Sequence, residues 1–147
     1  MNLKYRKAVF VAVYRKNENN IDYLLLKRKL HWKGWEFPKG GLEKNELIKD
    51  AIIREVKEET GLKSGKIINH RKKGKYNYDK IYSDRRGYKG QMYSLYSCEV
   101  KSGRIKIDSI EHSDYKWLSY GDALKRLTHE NQKDSLRIVN RLLKNGY

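Results

Sequence analysis

The chain has 147 residues, of which 38% are hydrophobic and 35% charged, and it carries a formal net charge of +16. That length suits one domain, residues 1–147, with its own core. No apolar run approaches the roughly 18 residues of a membrane span, and Met1-Asn2-Leu3-Lys4 lacks the apolar stretch of a signal peptide. The single cysteine, Cys98, excludes an internal disulfide and fits a cytoplasmic setting.

Residues 5–15 are rich in β-branched and aromatic side chains and predict a central strand. A polar turn at Asn17-Glu18-Asn19-Asn20 leads to a second strand near Asp22–Lys29, so a hairpin is expected. Trp35-Glu36-Phe37-Pro38 reads as a short extended piece ended by the only proline. A helix follows, with Asn45 as its expected N-cap and Gly61 as its stop. Strands are expected over Ile67–Arg71, Gly74–Ser83, Gln91–Val100, where Cys98 belongs to the core, and Asp114–Leu118. Ser119 caps a further helix with Asp122 in its first turn, and Asp134–Leu143 is an amphipathic closing helix stopped near Gly146.

The helix after Gly40-Gly41 carries Glu55, Glu58 and Glu59 within its last two turns. Carboxylates three and four residues apart are neighbours on a helix and repel by roughly 0.2–0.5 kcal/mol per pair. At about 100° per residue, Leu47, Ile48, Ala51, Ile52, Ile53 and Val56 define an inward direction near Ile52, with Glu59 about 20° and Glu55 about 60° from it. Glu58 lies at the edge of this stripe. Unpaired carboxylates on a buried face are expensive, whereas a hard divalent cation wants oxygen ligands. An ordinary acidic helix end does not aim its carboxylates inward, so the pattern points to a metal site.

These residues fill a pattern: Gly40, five residues, Glu46, seven residues, then Arg54-Glu55-Val56-Lys57-Glu58-Glu59-Thr60-Gly61-Leu62. Every fixed position of the Nudix box, G-x5-E-x7-R-E-U-x-E-E-x-G-U with U aliphatic, is present, and the chain resembles that family over nearly its whole length. The resemblance implies an α/β fold, the Nudix α/β/α sandwich with a mixed sheet between helices. It also implies a hydrolase of nucleoside diphosphates linked to another moiety, using Mg2+ or Mn2+. Glu55 and Glu59 are then the principal metal ligands, supported by Glu58, by Glu111 and by the carbonyl of Lys39. Glu55, Glu58 or Glu111 is the general base, with the choice open. Glu46, Arg54 and Gly40 stand behind the ligands and orient them.

Outside the box, Tyr5-Arg6, Trp35-x-Phe37-Pro38-Lys39-Gly40-Gly41, Tyr88-Lys89-Gly90-Gln91 and Glu111-x5-Trp117-Leu118-Ser119 are similar to two groups within the family. One comprises asymmetrical dinucleoside tetraphosphate hydrolases, which split substrates such as diadenosine tetraphosphate. The other comprises RNA 5′-pyrophosphohydrolases. The leading expectation is hydrolysis of dinucleoside polyphosphates such as diadenosine tetraphosphate, with removal of pyrophosphate from 5′-triphosphate RNA as the alternative. A non-catalytic binding module would be expected to lose box glutamates, and none is lost. Lys44-Asn45-Glu46 replaces the familiar Pro-Gly-Glu but keeps Glu46. Arg6, Arg28, Lys39 and Lys89 are candidates to hold phosphates or a nucleotide. Tyr76, Tyr78 and Tyr88 are candidates to clamp a base, though alternation at 76 and 78 is equally what one strand face requires. The four histidines show no metal-ligand spacing. Lys63, Lys66, Arg71, Lys72, Lys73, Lys75, Lys80, Arg85, Arg86 and Lys89 form a basic stretch, which either decorates the surface or holds polyphosphate or RNA. The expected partner is a nucleoside polyphosphate or an RNA 5′ end, with no membrane and with a monomer or homodimer.

Overall fold

The computed structural model describes residues 2–101 and 103–146. Its strands are β1 (Lys4–Asn17), β2 (Asn20–Arg28), β3 (Gly34–Glu36), β4 (Lys39–Gly41), β5 (Ile67–Asn77), β6 (Tyr88–Glu99) and β7 (His112–Ser119). The helices are α1 (Ile48–Thr60), α2 (Tyr120–Arg126) and α3 (Glu130–Lys144). Among the described residues these strands make one mixed sheet in the order β3-β2-β1-β6-β5, with β4 paired to β1 and β7 paired to β2. The β1–β6 pair is parallel and the other pairs are antiparallel.

β1 is buried on both faces, which is why its sequence is an unbroken apolar run rather than an alternation. Val9, Val11 and Val13 pack with Leu24, Leu26 and, from α1, Ile52 and Val56. Phe10, Ala12 and Tyr14 face the other way, toward Leu25, Phe37 and Leu95 and toward Leu136 and Val139 of α3. The mixed sheet with helices on both faces agrees with the expected architecture, and Cys98 lies fully inside it.

Several local expectations are corrected. Asn45 does not cap α1: it sits in a left-handed turn at φ 64°, and Leu47 precedes the helix without a side-chain cap. The turn is closed by Glu46, whose carboxylate accepts the Glu43 N–H at 3.0 Å. Leu47, Ile48 and Ile53 are exposed, so the buried stripe of α1 is narrower than the apolar spacing suggests and contains Ala51, Ile52, Glu55, Val56, Glu59 and Thr60. The two strands expected over Ile67–Arg71 and Gly74–Ser83 are one strand, β5. Its register shifts between Asn69 and Lys73, where Arg71 adopts φ 54°. It ends at Asn77, and Ser83–Arg85 is a 3₁₀ turn. β4 is too short to show in the sequence pattern, and α3 begins four residues earlier than its apolar spacing suggests, at Glu130. Gly61 does end α1 in the left-handed region at φ 76°, and Ser119 does cap α2 by accepting the Asp122 N–H at 3.4 Å.

α3 also fixes the approach to β4. The buried Gln132 side chain accepts the Phe37 N–H at 2.8 Å, two residues before Lys39. Gln132→Ala leaves that N–H unsatisfied and is expected to lower stability by about 1–3 kcal/mol. The check is a urea titration, in which the midpoint falls while the slope is unchanged; an unmoved midpoint would show that water replaces the amide.

Candidate metal centre and nucleotide cavity

α1 delivers Glu55 and Glu59 beneath the β4 backbone. They are only 8% and 2% exposed, while the Glu58 side chain, 56% exposed, stands at the rim. Gly40 is required here, because a Cβ at that position would collide with the Glu55 carboxyl group. Glu111 arrives from the opposite side on the loop before β7. Asp108 accepts the Ile110 N–H at 2.9 Å, and the Glu111 carbonyl accepts the Lys29 N–H at 2.9 Å. Glu55, Glu58, Glu59, Glu111 and Asp108 line one small cavity of about 100 Å³ with Arg6, Lys39 and Gln91.

Electrostatics make this cluster unstable as a set of bare anions. Burial pushes the Glu55 carboxyl up to about 7, against two-fold opposition from Arg54 and with added repulsion from Glu58 and Glu111. Glu59 is pushed well above its ordinary range by burial, then by Glu55, Glu36 and Glu111, and the Lys39 N–H at 3.0 Å relieves it only in part. The second carboxylate oxygen of Glu59 is buried with no hydrogen-bond partner. An orphaned buried carboxylate oxygen among other carboxylates is a donor set that fits a hard divalent cation. The ligand atoms of Glu59, Glu111 and His112 also lie within 4.8 Å of one another. His112 Nε2 is already 2.8 Å from Glu36, so the imidazole is better placed as a strut behind the glutamates than as a ligand. Its position next to Glu111 in sequence was the signal that ligand spacing alone could not supply.

Arg54 organises the rim. Its guanidinium donates to both oxygens of Glu46 at 2.8 and 2.9 Å, to Glu55 at 2.7 Å, to Glu58 at 3.2 Å and to the Gly41 carbonyl at 3.1 Å. These bonds hold Glu46 down at about 2. Five donors in a rigid plane allow this; an ammonium could not reproduce it.

A residue not singled out from the sequence, Glu36, sits fully buried beneath the site. Burial alone would raise its pKa, but Lys39, the His112 hydrogen bond and Arg28 together bring it to about 2. Arg28 Nη1 lies 3.3 Å from both Glu36 and Glu111, and Lys39 Nζ lies 3.3 Å from Glu36 and 3.3 Å from the Tyr76 hydroxyl. Burial disfavours the charged form of Lys39, and Glu36 overrides it, so the ammonium pKa is raised.

Arg28, Lys39 and Arg85 line both this cavity and a second one of about 450 Å³. The second cavity is walled by Phe10, Trp32, Tyr76, Tyr78 and Tyr82 with His31, His129 and Gln132. Of the expected substrate contacts, Tyr76 and Tyr78 line the aromatic cavity, Arg6 lines the acidic one beside Gly41, and Lys39 and Arg28 lie at the junction. Tyr88 and Lys89 line neither; the Lys89 ammonium lies 5.0 Å from the Tyr5 ring. Arg85 is a junction residue that the sequence showed only as part of a basic run.

The raised carboxyl pKa values have a definite sign. Groups whose folded pKa exceeds the unfolded value stabilise the fold below the unfolded pKa, and that stability is lost as pH rises through the folded one. Without metal, stability should therefore fall from pH 5 to pH 8, by up to about 3 kcal/mol for Glu55 alone given its rise from 4.5 to about 7. Glu36 titrates below this window. Added divalent cation should raise the melting temperature more at pH 8 than at pH 5, and Glu59→Gln should raise the metal-free melting temperature at pH 8 while removing most of the cation response. Calorimetry at the two pH values checks this; a cation response independent of pH would place the ion elsewhere.

The geometry now has counterparts. A family model described as NUDIX domain matches residues 4–139. An RNA pyrophosphohydrolase of Campylobacter jejuni is 29% identical over 119 residues, covering 77% of this chain and 76% of the relative. One from Nitratiruptor is 28% identical and covers 98% of this chain and 97% of its own. Among solved structures, a NUDIX hydrolase from Listeria monocytogenes superposes with a TM-score of 0.76 at 25% identity, covering 94% of each chain. A C. elegans Ap4A hydrolase binary complex superposes at 0.72 and 26% identity, covering 95% of this chain and 98% of that one. With the box residues assembled around one acidic cavity and the family model spanning nearly all of the sequence, this chain belongs to the NUDIX family of hydrolases.

Proposed function

We propose that the chain is a metal-dependent pyrophosphohydrolase acting on the polyphosphate at the 5′ end of RNA. The observation that carries the reading is the cationic junction of Arg28, Lys39 and Arg85 between a carboxylate cavity and an aromatic one. A nucleoside 5′-polyphosphate has that same order of parts. Its first base and ribose fit the aromatic cavity against Tyr76 and Tyr78, and its phosphates cross the junction to reach the glutamates. Two things support RNA as the substrate: the names of the relatives at 28–29% identity, and the exposed basic run Arg71, Lys72, Lys73, Lys75, Lys80, Arg86 and Lys89 on β5, the segment after it and the start of β6. Such a substrate fits a cytoplasmic enzyme.

Glu55, Glu59 and Glu111, with the Lys39 carbonyl, would hold Mg2+ or Mn2+, which when bound neutralises the polyphosphate and acidifies a coordinated water. Arg54 fixes the rotamers of Glu55 and Glu58, and Glu36 keeps Lys39 charged and holds Arg28 in place where they meet the phosphates. Water attacks the phosphorus nearer the ribose, the anhydride P–O bond breaks, pyrophosphate leaves, and the water proton passes to a glutamate. Glu58, at the rim and held by Arg54, and Glu111, on the facing loop, are the two candidates to take it. A second reading, cleavage of dinucleoside polyphosphates such as diadenosine tetraphosphate, is favoured by the likeness to the C. elegans Ap4A hydrolase and by a cavity able to seat one purine nucleoside.

Turnover of a short 5′-triphosphate RNA and of diadenosine tetraphosphate should be compared with Mg2+ at matched concentrations, products being separated by charge. Faster release of pyrophosphate from RNA is expected; exclusive cleavage of the dinucleotide would replace this reading with the second. Glu59→Gln should nearly abolish turnover, as removal of a metal-binding carboxylate implies, with near-wild-type turnover excluding it from the centre. Glu58→Gln and Glu111→Gln should be compared by pH–rate profile, where the variant that loses the acidic limb identifies the proton acceptor.

A further inference from the structure

We infer that the sheet face of β1, β6 and β5 opposite the nucleotide cavity is a second RNA-binding surface, which holds single-stranded RNA downstream of the reacting 5′ end. This inference rests on the reading of the cavity as an RNA 5′-end site. Strand register divides the residues between the two faces. Arg6, Gln91 and Tyr76 form one cross-strand row and line the cavities. The row Lys7–Met92–Lys75 points the other way, as do Tyr5 and Gly90 of the next row, whose third member, Asn77, also borders the nucleotide cavity at the sheet edge; Lys73 lies beside Ser94 on the same face as Met92. Lys7, Lys73, Lys75 and Asn77 are exposed, and Met92 is 41% exposed between two lysines.

A solvated charged face explains the lysines but not the residues at its centre. The Tyr5 hydroxyl donates to Asn77 Oδ1 at 2.7 Å, which fixes the ring, and the ammonium groups of Lys75 and Lys89 lie 5.1 and 5.0 Å from its centroid. Among the described residues, Lys7, Lys73, Lys75 and Lys89 form no ion pair. An oriented aromatic ring and an exposed thioether among unneutralised lysines are the parts of a sequence-tolerant single-strand platform, where bases stack and phosphates meet cations. β5 is the edge of the sheet, so a chain leaving the aromatic cavity past Tyr78 reaches this face by rounding one strand. A dinucleotide substrate is too short to do so.

The test compares a 5′-triphosphate dinucleotide with a 5′-triphosphate 12-nucleotide RNA, and adds a 12-nucleotide RNA with a 5′-hydroxyl end for binding alone. Tyr5→Ala and the double variant Lys7→Ala/Lys75→Ala should each raise KM for the long substrate about tenfold and leave kinetics on the dinucleotide unchanged. Tyr5→Phe, which keeps the ring but loses its bond to Asn77, should raise the long-substrate KM less than Tyr5→Ala does. The double variant should flatten the salt dependence of 5′-hydroxyl RNA binding by about 0.7 in the log–log slope per lysine. Equal effects on both lengths, or none, overturn the surface even if RNA is hydrolysed. If the protein cleaves only dinucleoside polyphosphates yet binds 5′-hydroxyl RNA with this variant dependence, the surface stands and the RNA 5′-end reading falls. Absence of both activities removes both. The double variant alters only exposed side chains, so its result holds even if Tyr5→Ala loosens β1.

Discussion

Glu55 and Glu59 occupy positions on α1 that an amphipathic helix would ordinarily give to leucine. Buried carboxylates that close together oppose folding unless something else compensates for their charge. The surroundings show how far the protein goes toward that compensation and where it stops. Arg54 donates to Glu55, and the Lys39 N–H donates to Glu59. Gly40 surrenders its side chain so that the Glu55 carboxyl group fits under β4. One oxygen of Glu59 nevertheless remains without a partner. The cluster is left incomplete by its own neighbours, and its donor set fits a divalent cation.

Glu36 obeys the opposite logic a few residues away. It is as buried as Glu59, yet it is held ionised near 2, because Lys39, His112 and Arg28 surround it. Two kinds of buried carboxylate therefore serve different ends. Glu36 is an anion that keeps Lys39 charged and holds both Lys39 and Arg28 at the junction of the cavities. Glu55 and Glu59 are anions only at a cost, which makes them responsive to an arriving ion. Glu111 touches both systems, since its carboxylate faces the cavity while Arg28 binds it. A change at Glu36 should thus act on phosphate binding and on the ligand geometry together, through Arg28, although Glu36 lines neither cavity.

How much of this was legible in the sequence follows from the range of each interaction. The box was legible because helix periodicity places Glu55 and Glu59 beside Ile52, a local relation, and because Gly40 and Gly61 answer steric demands of their own neighbourhood. The central strand and the helix caps at Gly61 and Ser119 were legible for the same reason. Glu36 was not, since nothing near it in sequence distinguishes it from a strand-edge glutamate; its partners Arg28 and His112 come from β2 and β7. Asn45 was misread because an asparagine before a helix suits both a cap and a left-handed turn, and the turn won once Glu46 was claimed by Arg54. The break in β5 at Arg71 hid its continuity. Tyr76 and Tyr78 do line the aromatic cavity, whereas Tyr88 does not, and only the tertiary arrangement separates them.

The two faces of β1 tie these pieces together. A strand packed on both sides cannot shift by one residue, because every side chain would change face. Val9, Val11 and Val13 against α1, and Phe10, Ala12 and Tyr14 against α3, therefore fix the phase of the whole strand. That phase carries outward to where the core ends: Arg6 falls into the acidic cavity, while Lys7 turns to the opposite face. The irregularity in the β1–β6 pairing lies between Lys4 and Tyr5, just beyond the point where core packing ceases to enforce the register. Tyr5 consequently depends on its bond to Asn77 to hold its place. The hydrophobic core thus decides which basic side chains face the acidic cavity and which are left on a separate surface.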